Sequence, residues 1–222
     1  DGIRDKLVTG VQTCALPISL EDTLSRAILA LEMNGKPLPA VHGGPLRLVT
    51  PGYYGTMHVK WLTRLRLEAR ESVNHHQVKR YRTPREPLKP GSAFDYGFHN
   101  SDPNWRMRIK SVIFGPTPNA MVEGGKITAQ GVAWNDGTSL IDAVEVSLDE
   151  GATWRRAELQ RGGRYGWQHW QVLLSLPAGM HTLISRAVDT LGNTQPLDGS
   201  IDWNPAGYGW HGADRVTFAV KS

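Results

Sequence analysis

Cysteine and long hydrophobic runs are nearly absent from this sequence. Cys14 is the single cysteine among 222 residues, which excludes an intrachain disulfide. No apolar run approaches the roughly 18 residues that a bilayer-spanning helix requires, so we expect no membrane span. Residues 1–19 begin with an acid and lack the long apolar centre of a secretory signal peptide.

A strong excess of charge is also lacking. The chain has 25 Lys and Arg against 21 Asp and Glu, which gives a formal charge of +4 and a pI near 9.3. The densest basic run, 78–85, is accompanied by no motif that reads nucleic-acid bases. We therefore expect a surface that attracts anions and no nucleic-acid partner. The hydrophobic content of 40% is ordinary for a globular protein of one large or two modest domains.

The beginning of the chain has an unusual composition. Residues 8–18, with the sequence VTGVQTCALPI, match the translation of a common DNA-sequencing adapter. A fusion scar of this kind is excluded from fold reasoning. We therefore interpret residues 1–18 as a non-native segment outside the domain, and we assign no function to Cys14.

The pattern from residue 19 to residue 104 predicts a mixed unit of helix and short strands. Ser19, with Asp22 three residues later, predicts the start of a short helix. The prolines and charges between residues 72 and 106 predict a long irregular connection. The other predicted elements are a hairpin at Asn34-Gly35, a strand over 46–49, and a half-buried strand over 59–68 with Trp61, Leu65 and Leu67 on one face.

From residue 105 to residue 222 the sequence predicts an antiparallel β-sandwich. Seven short strand-like segments are each bounded by turn residues, and Val144, Val146 and Leu148 alternate with polar residues in one of them. We expect the domain boundary between about residues 95 and 107. The predicted strands are 107–114, 126–134, 142–149, 154–159, 167–176, 181–189 and 215–220.

Two sets of short motifs occur in a fixed order along the chain. The first is LEMNG at 31–35, LP at 38–39, HGGPLRLV at 42–49, PG at 51–52, Gly55 and HVKWL at 58–62. The second is VSLDEGATW at 146–154, AVD at 187–189, GN at 192–193, QP at 195–196 and WN at 203–204. The first set resembles the end of the molybdopterin-binding domain of the sulfite oxidase family. The second resembles the immunoglobulin-like dimerisation domain of that family.

The resemblance implies a mainly β chain, with a partial α+β molybdopterin domain over 19–104 and an immunoglobulin-like dimerisation domain over 105–222. It implies a molybdopterin cofactor with molybdenum, and a parent enzyme that oxidises sulfite to sulfate and passes electrons to a haem protein of the cytochrome c type. It also implies a homodimer formed through the C-terminal domain, and a periplasmic location if the source is bacterial. The molybdenum-ligating cysteine of the family lies upstream of the matched residues. We therefore expect a fragment that lacks a metal ligand and is inactive alone.

Five residues carry the predicted cofactor site. In the family, the residues that match His42, Arg47, His58, Val59 and Lys60 contact the cofactor, and we expect them to converge as an incomplete pocket. The residue types suit this role because a pterin and a phosphate require backbone amides, a planar guanidinium and a point charge. From spacing alone, such an arginine and lysine are also consistent with solvated charges at strand ends.

Two other functions stay open. Assimilatory nitrate reductase shares both domains but continues into haem and flavin domains, so the end at Ser222 favours the sulfite type. A non-catalytic sandwich for adhesion or carbohydrate binding has no use for the cofactor loop at 42–62. His75-His76 is interpreted as a surface or interface pair rather than a metal site. The family strand that resembles residues 165–170 is expected to contain an arginine, but Gln168 and His169 stand there, so substrate contacts are unassigned.

Overall fold

The computed structural model describes residues 6–11, 14–68 and 71–221, and within it the chain forms two compact units. One unit comprises Asp1–Met107 together with Asn204–Gly209, and the other comprises Arg108–Trp203 together with Trp210–Ser222. The division after Met107 lies at the edge of the predicted boundary window. The assignment of Asn204–Gly209 to the first unit is a feature that the sequence does not predict.

Short strands and two short helices build the described part of the first unit. The strands are β1 (Lys6–Val11), β2 (Cys14–Ser19), β3 (Ile28–Ala30), β4 (Glu32–Met33), β5 (Lys36–Pro37), β6 (Arg47–Val49), β7 (Leu65–Glu68), β8 (Arg82–Pro84) and β9 (Ser101–Pro103). The helices are α1 (Leu20–Arg26) and α2 (His75–Lys79), with 3₁₀ turns at Ala40–His42 and Gly55–Met57. Antiparallel pairs form between β3 and β6, β4 and β5, and β8 and β9. A small apolar core consists of Leu48, Tyr53, Met57, Val59 and Leu62.

The segment that precedes α1 is paired with the rest of the first unit. The strands β1 and β2 form a hairpin, and β1 pairs with β7 from Lys6 opposite Glu68 to Thr9 opposite Leu65. Backbone pairing therefore joins the described part of residues 1–18 to a three-stranded sheet. Residues 1–5 and 12–13, which also belong to the segment predicted to be non-native, lie outside the described residues. The non-native origin stays a prediction.

The predicted strand over 59–68 is wrong for most of its length. Only β7 is a strand, because Trp61 has a backbone φ of 51°, in the left-handed region that interrupts extended structure. The predicted buried face is also wrong, since Trp61 is 49% exposed and Leu65 is 39% exposed. In the segment before β7, the amide of Trp61 instead donates to the carbonyl of Gly43 at 3.0 Å and that of Leu62 donates to the carbonyl of Leu46 at 2.8 Å.

Two antiparallel sheets form the second unit. One sheet has the order β10-β12-β16-β15, and the other has the order β11-β18-β17-β13-β14, in which only the pair of β11 with β18 is parallel. The strands are β10 (Lys110–Gly115), β11 (Met121–Val122), β12 (Gly125–Trp134), β13 (Ile141–Ser147), β14 (Arg155–Arg156), β15 (Glu158–Gln160), β16 (Gln168–Leu176), β17 (Gly179–Asp189) and β18 (Asp214–Val220).

Alternation of apolar and polar residues explains the core of this unit. In β16, Trp170, Val172 and Leu174 are buried, whereas the residues between them are exposed. Gly131 of β12 is required opposite Trp170, since a Cβ atom would lie 2.5 Å from the tryptophan ring. The mainly β fold with a C-terminal sandwich is confirmed. Among the described residues, no helix has the length and apolar character needed to cross a bilayer.

Candidate functional site

A tight turn in the first unit gathers three of the predicted cofactor-binding residues. The 3₁₀ turn Ala40–His42 ends at Gly43, whose φ of 103° is accessible mainly to glycine. Two amides stabilise this turn, since Gly43 donates to the carbonyl of Ala40 at 3.0 Å and Gly44 donates to the carbonyl of Pro39 at 3.1 Å. The turn is therefore a defined loop rather than a flexible connection.

Two cationic side chains bind neighbouring carbonyls of this turn. The Nζ atom of Lys60 donates to the carbonyl of Val41 at 2.8 Å, and a terminal nitrogen of Arg47 donates to the carbonyl of His42 at 3.0 Å. The structure thus brings Arg47, Lys60 and the main chain of His42 together at one place. Two positive charges beside a short loop form a surface suited to an anionic group.

The two glycines of the loop are needed for contacts within the protein. A Cβ atom at Gly43 would lie 2.7 Å from the Cβ of Lys60, and one at Gly44 would lie 2.0 Å from the carbonyl oxygen of Leu38. Both positions therefore require glycine so that the turn can pack against Lys60 and Leu38.

His58 directly follows the 3₁₀ turn Gly55–Met57, and its ring binds the main chain. Its Nε2 atom is 3.1 Å from the carbonyl oxygen of Thr50. Burial lowers the pKa of His58, and the positive charge of Arg47 lowers it further, although the bond to Thr50 opposes both effects. His58 therefore presents a neutral imidazole at neutral pH.

Val59 is placed differently from the other four predicted residues. Its side chain is 9% exposed and packs in the small apolar core, and its carbonyl accepts a bond from the amide of Leu48 at 2.9 Å. Only main-chain atoms of Val59 are therefore candidates for a ligand contact.

Two buried polar atoms of this region, on Arg47 and Thr50, fit a phosphate-bearing cofactor. The Nε atom of Arg47 is buried and has no hydrogen-bond partner within the described part of the chain, and the same holds for Oγ1 of Thr50. A buried donor without a partner is costly unless a ligand or water supplies an acceptor. Across the described residues, no group of three or more His, Cys, Asp or Glu side chains is arranged to hold a metal ion.

Two aromatic residues of the first unit have backbone conformations that sequence reasoning missed. Trp61 and Tyr81 have φ values of 51° and 49°, which are outliers for bulky side chains. The Tyr81 ring lies 6.3 Å from the ring of His76 and 5.5 Å from the ring of Tyr208. Strained positions of this kind are held by their surroundings and concentrate at functional sites. The residue type alone gives no signal of such a φ.

Gln168, which stands in the strand where the family resemblance leads us to expect an arginine, bonds to the main chain of its own unit. This side chain is 7% exposed, and its Nε2 atom donates to the carbonyls of Gly163 and Gly166 at 3.0 and 3.1 Å. Gln168 therefore closes the loop before β16, within the second unit, and is occupied by that loop.

Two family models match this chain in succession. The oxidoreductase molybdopterin binding domain matches residues 2–76, and the Mo-co oxidoreductase dimerisation domain matches residues 101–214. The second match alone covers more than half of the chain. The two models occur in the order that the motifs predict.

Proteins of known function and structure are similar over most of the chain. Mitochondrial sulfite oxidase of Mus musculus is 37% identical over 201 residues, which cover 86% of this chain and 36% of that protein. Nitrate reductase [NADPH] of Phytophthora infestans is 28% identical over 231 residues, which cover 93% of this chain and 25% of that protein. The crystal structure of the sulfane dehydrogenase SoxCD from Paracoccus pantotrophus aligns with a TM-score of 0.79 at 26% identity, covering 98% of this chain and 57% of that one. The chain thus spans about a third of the length of the mammalian sulfite oxidases it matches.

Proposed function

The chain belongs to the sulfite oxidase family of molybdopterin-dependent oxidoreductases, and we propose that it forms part of an enzyme that oxidises sulfite to sulfate. The observation that carries this proposal is the convergence of Arg47 and Lys60 on one glycine-containing turn, inside the region matched by the molybdopterin-binding model. The identity of 37% to a mitochondrial sulfite oxidase supports the choice of substrate.

The residues of the turn would hold the anionic end of molybdopterin. Arg47 offers a planar guanidinium whose buried Nε atom has no partner in the described structure, and Lys60 offers a compact ammonium. His42, His58 and the main chain of Val59 complete the proposed contacts, by resemblance to the family. Because the Nε2–H of the neutral His58 imidazole donates to the carbonyl of Thr50, its Nδ1 atom offers an acceptor without adding a charge.

The bound cofactor would supply the molybdenum needed for oxygen-atom transfer and two-electron chemistry, and Arg47 and Lys60 would hold its anionic end. The balanced reaction converts sulfite and water to sulfate, with release of two protons and two electrons. The part played by this chain is to bind and orient the cofactor. The ligating cysteine is proposed to lie in a part of the enzyme outside this sequence, so the 222-residue chain alone is expected to be inactive.

The proposed partners follow from the second domain and from the chemistry. A domain matched by a dimerisation model is expected to form a symmetric homodimer. The two electrons require an acceptor, for which we propose a haem protein of the cytochrome c type. Sedimentation equilibrium of the whole chain tests the dimer, and a monomer at all concentrations contradicts it.

Two related reactions are alternatives. A sulfane substrate is favoured by the similarity to SoxCD, which covers 98% of this chain. Nitrate reduction is favoured less, because the identity to the nitrate reductase is 28%. The three candidates differ in the substrate that must support turnover, so one set of assays separates them.

The test uses the protein expressed from a gene that is extended upstream of the codon for Ser19, which we call the extended protein. We expect the extended protein to contain molybdenum and to reduce cytochrome c when sulfite is added. Turnover with a sulfane-sulfur donor but not with sulfite would favour the first alternative, and oxidation of a reduced electron donor by nitrate would favour the second. Failure of the extended protein to acquire molybdenum would contradict all three.

A substitution in the extended protein tests the assignment of the turn. Arg47→Ala should lower cofactor content, because it removes a charge-assisted contact worth about 1.5–3 kcal/mol. Arg64→Ala is the matched control, since Arg64 is an exposed cation in the same region. Cofactor content equal to wild type in Arg47→Ala would show that the assignment is wrong.

A further inference from the structure

Three successive carbonyls of the turn each accept a bond from a different side chain. The carbonyl of Ala40 accepts from the indole Nε1 of Trp61 at 2.9 Å. The next two, of Val41 and His42, accept from Lys60 and Arg47. Trp61 is therefore the uncharged member of a set of three donors that hold the turn.

Trp61 also forms a hydrogen bond to the turn through its main chain. Its amide donates to the carbonyl of Gly43 at 3.0 Å, so one residue bonds both ends of the turn. This double contact accompanies the φ of 51°, a conformation that a tryptophan keeps only where the surroundings fix it. Apolar burial does not explain the position, since 49% of Trp61 is exposed.

The tryptophan ring also lies beside the neighbouring lysine. The Nζ atom of Lys60 is 5.7 Å from the ring centroid of Trp61, within the range of a cation–π interaction. The ammonium group is thus held between a carbonyl and an aromatic face. Its position depends on Trp61 as well as on the turn.

We propose that Trp61 is a positioning residue that keeps the turn 40–44 in place when its two cations bind an anionic group. An anionic ligand competes with the carbonyls of Val41 and His42 for the N–H groups of Lys60 and Arg47, and each bond that is exchanged releases the turn at one point. The bond from Trp61 to Ala40 involves no charged group and is retained during this exchange. The inference rests on the proposed cofactor-binding role of the turn.

Two substitutions separate the contributions of the indole. Trp61→Phe removes the N–H donor and keeps an aromatic face for Lys60, whereas Trp61→Ala removes both. Trp210→Phe is the matched control in the second unit, because Trp210 is 45% exposed, donates from Nε1 to the carbonyl of Gly199 at 2.9 Å, and has the Nζ atom of Lys110 3.8 Å from its ring.

Hydrogen exchange of the backbone amides, measured on the full chain without ligand, tests whether Trp61 stabilises the turn. The amides of His42, Gly43 and Gly44 should exchange faster in Trp61→Phe, by about three- to tenfold, which is the effect of one lost hydrogen bond. The same amides should exchange at the wild-type rate in Trp210→Phe. Unchanged exchange in Trp61→Phe overturns the inference and leaves the proposed function untouched.

Titration with inorganic phosphate tests the consequence for binding. The dissociation constant should rise about three- to tenfold in Trp61→Phe and further in Trp61→Ala, at unchanged melting temperature of the second unit, and should stay at the wild-type value in Trp210→Phe. Wild-type phosphate affinity in Trp61→Phe overturns the inference. A wild-type chain that binds no phosphate overturns the proposed anion-binding role of Arg47 and Lys60, and with it the role of Trp61 in ligand binding.

Discussion

The phenol of Tyr53 donates a hydrogen bond to the buried carboxylate of Asp22, 31 residues earlier in the chain. The same carboxylate accepts two bonds from Arg106, at 2.8 and 2.9 Å, and pairs with Arg26 at 3.2 Å. Asp22 is 5% exposed and Tyr53 is 2% exposed. One carboxylate therefore joins α1, the segment after β6 and the end of the first unit.

Removal of this charge should destabilise the first unit. Asp22→Asn preserves the size of the side chain but removes the negative charge that pairs with Arg106 and weakens the bond from Tyr53. We expect the free energy of unfolding to fall by about 2–4 kcal/mol, below the full value of a buried pair because the Arg106 side chain is 44% exposed. Urea unfolding measures the change. Glu123→Gln, which breaks the exposed pair with Lys221, should cost less than about 1 kcal/mol, and equal losses in the two variants would contradict the role of Asp22.

The pH dependence of Tyr53 provides a second measurement on this cluster. Burial, which is the largest cause, and the bond to Asp22 together raise the pKa of Tyr53 from 10.0 to about 12, while Arg106 opposes them. The folded chain therefore retains a proton that the unfolded chain loses, so this contribution to stability is complete below about pH 10 and is lost as the pH rises to about 12. In Asp22→Asn the pKa should move down but stay above 10.0, since burial is the larger cause. Absorbance titration of the phenols checks both values.

The sequence predicts the sandwich better than it predicts the site, for physical reasons. Strands such as β12 and β16 alternate buried and exposed residues, and that local pattern determines their faces. The turn at Asn34-Gly35 is likewise predictable, because both residues have positive φ. The contact of Asp22 with Arg106 spans 84 residues, and no local pattern encodes it. The φ of Trp61 depends on its bonds to the turn at residues 40–44. Because these bonds are not visible in the local sequence, the sequence pattern predicts a strand where none forms.

Lys110 should make the second unit more stable at high pH. Its side chain donates to the carbonyl of Gly212 at 2.8 Å, and burial lowers the pKa of Lys110 from 10.5 to about 8. Between these values the unfolded chain binds more protons than the folded chain, so the free energy of unfolding rises with pH over this window. The destabilisation is complete below about pH 8 and absent above about pH 10.5.

A substitution isolates this effect from the titration of other groups. Lys110→Met removes the ammonium and keeps the length of the side chain. The stability of the variant relative to wild type should fall by about 1–2 kcal/mol as the pH rises from 8 to 10.5, a modest value because the ring of Trp210 also favours the charged form. Lys126→Met, on the exposed face of β12, is the control. A difference that does not vary with pH for Lys110→Met would contradict the prediction.

Arg82 should be essential for the segment between α2 and β9. It is 1% exposed, and its guanidinium donates to Oγ of Ser101 at 3.0 Å, to the carbonyl of Gln77 at 3.1 Å and to Glu71 at 3.2 Å. Arg82→Met removes a buried guanidinium together with its bonds to Ser101, Gln77 and Glu71, at a cost of about 3–5 kcal/mol. Arg82→Lys should recover only part of this, because an ammonium cannot reproduce the planar fork.

An exposed arginine nearby serves as the control for Arg82. Arg85 makes three bonds, to Asp102 and to the carbonyls of His99 and Phe98, but its side chain is 45% exposed. Arg85→Met should therefore cost less than about 1 kcal/mol. Chemical denaturation that finds the two methionine variants equally stable would show that burial of Arg82 contributes little.

Substitution by alanine at two glycines with positive φ should reduce stability by different amounts. The difference in stability measures the contact between the turn and Lys60. Gly35 has φ 71°, and a Cβ atom there would have no neighbouring atom within 4 Å, so Gly35→Ala introduces backbone strain alone, about 1 kcal/mol. Gly43 has φ 103°, and its Cβ would lie 2.7 Å from the Cβ and 2.8 Å from the Cα of Lys60. Because the second of these atoms belongs to the main chain, the turn itself must move.

Gly43→Ala should therefore lose more stability than Gly35→Ala by about 1–3 kcal/mol, the usual cost of overpacking a closely fitted contact. It should also weaken phosphate binding, because displacement of the turn removes the bonds to Val41 and His42 that position Lys60 and Arg47 beside each other. Thermal unfolding and phosphate titration of both variants measure the two effects. Equal stability of the two variants, with phosphate affinity at the wild-type value in Gly43→Ala, would mean that the turn tolerates displacement and that its fit to Lys60 does not determine the arrangement of the cations.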